Sequence, residues 1–221
     1  KTRHTLRWRQ HRVFGQSPSM GMKEEDVSKE QPADLRSVVR RTAFPKSATA
    51  PLVPPLYPST VYIASDTDQM NRVYEGNEAG FTYAREGNPN AEQLAAKIAL
   101  LEGADACLIT SSGMSAVTAI VLGLLHAGDH LVAGNQLYGR TLRLVSRELP
   151  RLGFATSLVD ACNPAAVEAA IQPNTRMILV EVVSNPLLRV VDVEALGRIA
   201  CSRGVQLVVD NTFPTPLALR P

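Results

Sequence analysis

From Asn90 onward, apolar residues follow two habits, spaced runs of helical period and short unbroken runs. The spaced runs are "NAEQLAAKIALLEG", "GMSAVTAIVLGLLHAG", "LYGRTLRLVSRELPRLG", "NPAAVEAAIQ" and "VDVEALGRIACSRG". They predict helices. Asn90 and Gln93 stand at capping-box spacing, Asn163 precedes a proline suited to the first helical position, and Asp192 reads as a further cap. Gly103 reads as a stop. The unbroken runs are "ACLIT", "HLVAG", "FATSLVD", "RMILVEVV" and "VQLVVD". A strand with one wet face would alternate, so these read as strands buried on both faces. Strands alternating with helices predict an α/β fold, a mainly parallel open sheet with helices on both faces. Ligands of such sheets bind beyond the carboxyl ends of the strands.

Before Asn90 the pattern breaks down. The first 22 residues hold five Lys/Arg and two His, and no acid precedes Glu24. This basic stretch fits either an Arg-rich targeting segment or an extension upstream of a start at Met20 or Met22. "KEEDVSKEQPAD" has no apolar face, and residues 1–41 are expected to be poorly ordered. "ATAPLVPPLYPSTVYIAS" carries four prolines, which remove backbone donors. Residues 42–89 are therefore expected to form an extended arm, apolar enough to need a surface to lie on. The sheet domain is placed at 90–221.

Composition narrows the partners. Net charge is +2 with 20% charged residues, so no protein-wide basic field invites nucleic acid. Aromatics are only 5%, which argues against base-stacking platforms. No run of about 18 apolar residues predicts a membrane span. Cys107, Cys162 and Cys201 are odd in number and far apart, without metal-ligand spacing. They read as reduced thiols in a cytoplasmic setting, or an organellar one if the basic segment is a transit peptide.

The strand ends carry the chemistry. "SSGMSA" follows "ACLIT" and opens a helix. Its free N–H groups and dipole suit a phosphate, with Ser111 and Ser112 as extra donors. Tyr138 opens the helix after "HLVAG" and can stack on a flat ring. Asn185 follows "RMILVEVV" and can donate a hydrogen bond, while Glu181 lies within that strand and needs a partner or a proton. Asp210 ends "VQLVVD", where a carboxylate can hold a protonated ring nitrogen. Each feature alone has an ordinary reading as a cap or turn. Together they fit pyridoxal phosphate, whose ring nitrogen a buried carboxylate keeps protonated. No G-x-G-x-x-G follows a strand, which counts against NAD.

With these residues in hand, the chain resembles the pyridoxal-phosphate-dependent enzymes of Cys/Met metabolism. That family includes cystathionine γ-synthase, cystathionine γ-lyase and methionine γ-lyase. The resemblance runs from about Thr42 to Pro221. It rests on "PLVPPLYPSTVY" (51–62), "YAREGNPN" (83–90), "LEGADACLITSSGMSA" (101–116), "LYGRT" (137–141), "EVVSNP" (181–186) and "VDNTF" (209–213). It implies the fold type I large domain seen in aspartate aminotransferase. It implies that Ser112, Gly113 and Met114 hold the cofactor phosphate, and that Tyr83 and Arg85 reach the phosphate of a neighbouring subunit in a homodimer or homotetramer. By the same resemblance Tyr138 stacks on the ring, Asn185 lies near the ring hydroxyl, and Asp210 pairs with the ring nitrogen. Tyr138 and Asp210 are the expected catalytic residues.

The implied activity is elimination or replacement on a sulfur amino acid. Two departures stand out: Val182-Val183 where the family usually has Thr-Pro, and Asn90 where it usually has Thr. The lysine that anchors the cofactor covalently is expected beyond Pro221, with the C-terminal domain. The chain is thus expected to be an inactive N-terminal fragment. The alternative is a cofactor-binding relic or a partner subunit of a complete homologue.

Overall fold

The computed structural model describes residues 48, 49 and 51–221. The basic segment, the region 1–41 and the start of the arm lie outside the described residues. Within the unit Val53–Pro221, four parallel strands form one sheet in the order β2-β1-β3-β4. They are β1 (His130–Gly134), β2 (Ala155–Val159), β3 (Thr175–Glu181) and β4 (Gln206–Asp210).

The helices are α1 (Thr67–Tyr74), α2 (Pro89–Glu102), α3 (Gly113–Leu124), the composite α4, α5 (Pro164–Ala169), α6 (Val193–Arg203) and the short α7 (Thr215–Ala218). In α4, α-helical Gly139–Arg143 and Leu149–Arg151 flank a wide π turn, Leu144–Glu148. Pro150 explains the interruption. It has no N–H to give, and its ring crowds the carbonyl four residues back, inside that turn.

The two central strands are buried on both faces, as their unbroken apolar runs predicted, whereas the edge strands β2 and β4, expected to be buried likewise, are only partly covered. Leu131 and Ala133 of β1 join Met177 and Leu179 of β3 in one core with Val121, Val145 and Leu149. Val132, Ile178 and Val180 point the other way, into a core with Val167, Leu196 and Ala200. Residues of period two thus divide between a layer under α3 and α4 and a layer under α5 and α6. At the amino ends, buried His130 bridges its neighbours through Nδ1 to Thr175 Oγ1 (2.7 Å) and Nε2 to Ser157 Oγ (2.9 Å). Burial pushes its pKa down, which favours the neutral ring.

Local signals set most boundaries. Asn163 and Asp192 accept the N–H groups of Ala166 and Ala195. Gly103 and Gly204 end α2 and α6 in the left-handed region (φ 68° and 64°), where a side chain would be strained.

Three expectations need correction. "ACLIT" is not a strand. A strand exists by its ladder, and among the described residues nothing pairs with this one; Leu108 is 81% exposed. Second, Asn90 does not cap α2. Asn88 does, accepting the Asn90 N–H. The Asn90 amide instead grips the arm, accepting from Tyr57 N (2.7 Å) and donating to Pro55 O (2.8 Å). Third, α1 was not anticipated, although its start is capped: Asp66 Oδ1 accepts Gln69 N, and Gln69 Oε1 accepts Ser65 N. Within 42–89 the described residues are not uniformly extended: α1 interrupts them, an isolated antiparallel bridge joins Val61 to Tyr83, and Leu52, Val53, Leu56 and Ile63 are exposed.

Candidate active site

All four strands point their carboxyl ends the same way, and a pocket of about 430 Å³ opens at that edge. Four elements bring its polar groups together. The start of α3 supplies Ser112, Gly113 and Met114; the start of α4 supplies Tyr138 and Thr141; the ends of β3 and β4 supply Glu181, Asn185 and Asp210. Val117, Val183 and Phe213 provide apolar walls, and Thr212 completes the rim.

The amino end of α3 offers an anion site. Ser112 is the cap, its hydroxyl accepting Ser115 N (3.1 Å). Gly113 and Met114 begin the helix, so their N–H groups have no intrahelical acceptor and point at the positive end of the dipole. A Cβ built on Gly113 would meet nothing within 4 Å, so the approach is open. Tyr138, half exposed, precedes the first turn of α4 without a side-chain cap. Its N–H donates to Glu181 Oε1 instead.

Asp210 is held by its own turn. Its Oδ1 accepts the Thr212 N–H (3.0 Å) and the Thr212 hydroxyl. Asn185 starts a loop that folds back on itself: Ser184 N donates to Arg189 O (2.9 Å), and Arg189 N to Ser184 Oγ (3.0 Å). Arg189 also pairs with Asp160 at 2.9 Å, a contact that lowers the Asp160 pKa. Glu181 is buried and lies opposite Asp210 in the strand register. Burial first, and then the charge of Asp210, push its pKa up; the Tyr138 and Asn185 N–H groups pull it back.

The pocket thus unites Ser112, Gly113, Met114, Tyr138, Asn185 and Asp210. Tyr83 and Arg85 do not line it. The Arg85 guanidinium lies 4.9 Å from the Tyr83 ring centroid, its side chain 76% exposed and 3.8 Å from Glu86.

Residues 37–221 match the family described as Cys/Met metabolism PLP-dependent enzyme. The chain belongs to that family. It is 40% identical over 171 residues to L-methionine gamma-lyase of Porphyromonas gingivalis, covering 77% of this chain and 43% of that protein. It is 39% identical over 169 residues to homocysteine synthase of Schizosaccharomyces pombe, covering 76% and 39% respectively. A Campylobacter jejuni crystal structure containing N'-pyridoxyl-lysine-5'-monophosphate superposes with a TM-score of 0.75 at 28% identity. The match covers 84% of this chain and 46% of that one. The chain therefore spans less than half the length of these relatives.

The cofactor of the family is pyridoxal 5'-phosphate, and the donor set fits it. Two free N–H groups at a helix start match a phosphate, an exposed aromatic face matches a flat ring, and a carboxylate fixed at a strand end matches a protonated ring nitrogen. Lys97, the amine among the described residues, belongs to α2 and does not line the pocket.

The sequence pattern points to Ser112, Gly113, Met114, Tyr138, Asn185 and Asp210, and all six line this pocket. It did not name Val117, Thr141, Val183, Thr212 or Phe213, and it noted Glu181 only as a buried acid. For Glu181 a signal existed, since it ends its strand one ladder away from Asp210. For Thr141 the signal was its place one turn into α4, where its hydroxyl reaches Met114 Sδ (3.6 Å).

Proposed function

We propose that the protein carries out elimination or replacement at the β or γ carbon of a sulfur amino acid, using pyridoxal phosphate. The substrate class is cystathionine, a homoserine ester, methionine or cysteine. The observation that carries this reading is the gathering of Gly113, Met114, Tyr138, Asn185 and Asp210 in one pocket. Relatives of near-equal identity bear a lyase name and a synthase name, which supports the class and leaves the choice within it to the substrate assay below.

When bound, the cofactor supplies an electron sink for charge developing at the substrate's α carbon. The protein's residues hold and tune it. The Gly113 and Met114 N–H groups bind phosphate oxygens, aided by the α3 dipole. Tyr138 covers one ring face and fixes its tilt. Asn185 can donate to the ring hydroxyl. Asp210 holds the proton on the ring nitrogen by its negative charge. Val117, Val183 and Phe213 keep water from the ring, which strengthens these interactions. Tyr83 and Arg85, which do not line this pocket, serve the phosphate of a second subunit, so the assembled protein is a homodimer or a higher homo-oligomer. Arginine suits that task because its planar fork meets two phosphate oxygens at once.

The test uses the complete protein with added pyridoxal phosphate. Visible absorption on binding is expected, with pyruvate or 2-oxobutyrate released from L-cystathionine, L-cysteine or L-methionine, or a thioether formed from a homoserine ester and a thiol. A protein that stays colourless with added cofactor, or one that converts none of these substrates, would refute the proposal.

A further inference from the structure

A titratable group buried at the other end of the sheet has no part in the scheme above. His130 opens β1 and is 1% exposed. Its neighbour Thr175 and the pocket residue Glu181 are the two ends of β3, about 20 Å apart. The imidazole sits between hydroxyls of both adjacent strands. Nδ1 is 2.7 Å from Thr175 Oγ1 of β3, and Nε2 is 2.9 Å from Ser157 Oγ of β2. Thr175 Oγ1 also accepts the Gln172 N–H at 2.7 Å. Thr175 is 2% exposed, so its hydroxyl proton needs an acceptor inside the protein. Nδ1 is the acceptor in place. The ring proton then sits on Nε2 and is donated to Ser157 Oγ, whose half-buried hydroxyl has solvent within reach. Every donor is matched when the ring is neutral. A second proton, on Nδ1, would aim a further donor at Thr175 Oγ1 and leave the Thr175 hydroxyl proton without that acceptor.

The surroundings do not compensate a positive ring. β2 carries no ionisable side chain. Asp129 is shared by Arg176 at 3.6 Å and His126 at 3.7 Å. By strand period His130 lies on the face of Val132, under α5 and α6. There Glu168 of α5 holds Arg203 of α6 at 2.7 Å, and Glu194 of α6 holds Arg198 at 2.5 Å.

We propose that His130 is an acid-sensitive latch: neutral, it joins β2, β1 and β3 at their amino ends, and protonated, it lets go of Thr175 and loosens that edge of the sheet. The sign follows from burial, which lowers the pKa of this histidine in the folded protein. The unfolded chain binds the proton more tightly, near about pH 6.5. The contribution of the latch is therefore complete above about pH 6.5 and is lost as pH falls from there towards the lowered folded value.

The test is amide hydrogen exchange on the complete protein at about pH 7.5 and about pH 5.5, corrected for intrinsic rates. Peptides covering 128–133 and 172–178 report on the amino edge. In the wild type their protection is expected to fall about ten-fold at the lower pH, since one proton is taken up on opening across that window. The comparison is His130→Asn, which keeps an oxygen for the Thr175 hydroxyl but has no ring to titrate. Its protection in these peptides is expected to change less than about two-fold between the same two pH values.

Equal wild-type protection at both pH values overturns the latch. So does a variant that loses as much protection in acid as the wild type, because another group then titrates. Should His130→Asn fail to fold, His126→Asn decides. The His126 side chain is 92% exposed and is the other titrating ring at this edge. Its removal is expected to leave the acid-induced loss in place, and disappearance of that loss overturns the proposal.

Discussion

Replacing Asn90 by alanine isolates one local device of this fold. The Asn90 side chain makes two hydrogen bonds to the arm, to Tyr57 N at 2.7 Å and to Pro55 O at 2.8 Å. Both are exposed, so each contributes at the lower end of the usual net range, about 0.5–1 kcal/mol. Their joint loss weakens docking of this stretch by about 1–2 kcal/mol, or roughly ten-fold in the ratio of docked to undocked forms. The effect stays local. Asn88 still donates to Tyr57 O (3.1 Å), and Tyr62 N–Thr82 O and Ala84 N–Thr60 O still hold the following segment. Neither core cluster includes Asn90. Hydrogen exchange by mass spectrometry is the assay. A peptide covering 53–61 should exchange about ten-fold faster in the variant, while the melting temperature moves by no more than about 2 °C. Asn90→Thr, which restores the family's usual residue, has one hydroxyl for two partners and should fall between. Unchanged exchange in that peptide would refute the clamp, and a large fall in melting temperature would refute its locality.

In the complete protein with cofactor, Asp210→Asn should stay folded yet turn over about a thousand-fold more slowly. A close ion pair contributes about 4 kcal/mol at an effective dielectric of 20, equal to about three pKa units on the ring nitrogen; turnover within ten-fold of wild type would contradict this. Arg85→Ala should lower cofactor retention, and mixing it with Asp210→Asn subunits should restore part of the activity if the two residues serve one site from two chains. Failure of that rescue despite demonstrated subunit exchange would refute the shared site. Ile178→Ala should cost about 2–5 kcal/mol in urea unfolding, because the side chain is fully buried in the central strand. Asp160 titrates below its ordinary value in the folded protein because of Arg189. Its contribution is therefore present above about pH 4 and lost as pH falls through the depressed value, so hydrogen exchange in the 184–191 loop should accelerate there. Equal exchange at pH 3 and pH 6, after correction for intrinsic rates, would count against the ion pair.

Helix ends were legible where one side chain decides them. Asn163, Asp192 and Gly103 act within a few residues of themselves, and sequence holds all of that information. Strand burial in β1 and β3 was legible for a similar reason, since an unbroken apolar run has to be covered on both sides. The failures share another cause. "ACLIT" has the composition of a strand, but pairing depends on a neighbour that composition does not reveal. Asn90 was read as a cap because its local pattern permits one; its amide was taken up by Pro55 and Tyr57, more than thirty residues away. In the site, Asp210, Tyr138 and Asn185 were found because a parallel sheet sends all its strand exits to one edge. Glu181 was underrated because its partner is a backbone amide, that of Tyr138, which carries no signature in the residue types.

The turn at the end of β4 treats the two oxygens of Asp210 differently. Oδ1 is occupied by Thr212, through both its N–H and its hydroxyl. Among the described residues Oδ2 has no hydrogen-bond partner. The side chain has thus surrendered its rotational freedom during folding, before any ligand arrives. A cation meeting the free oxygen finds a rotor already stopped, so little further entropy is lost on contact. Such a carboxylate also has a fixed reach. Glutamate in its place could keep its grip on Thr212 or keep the oxygen where it now lies, but one added methylene prevents both.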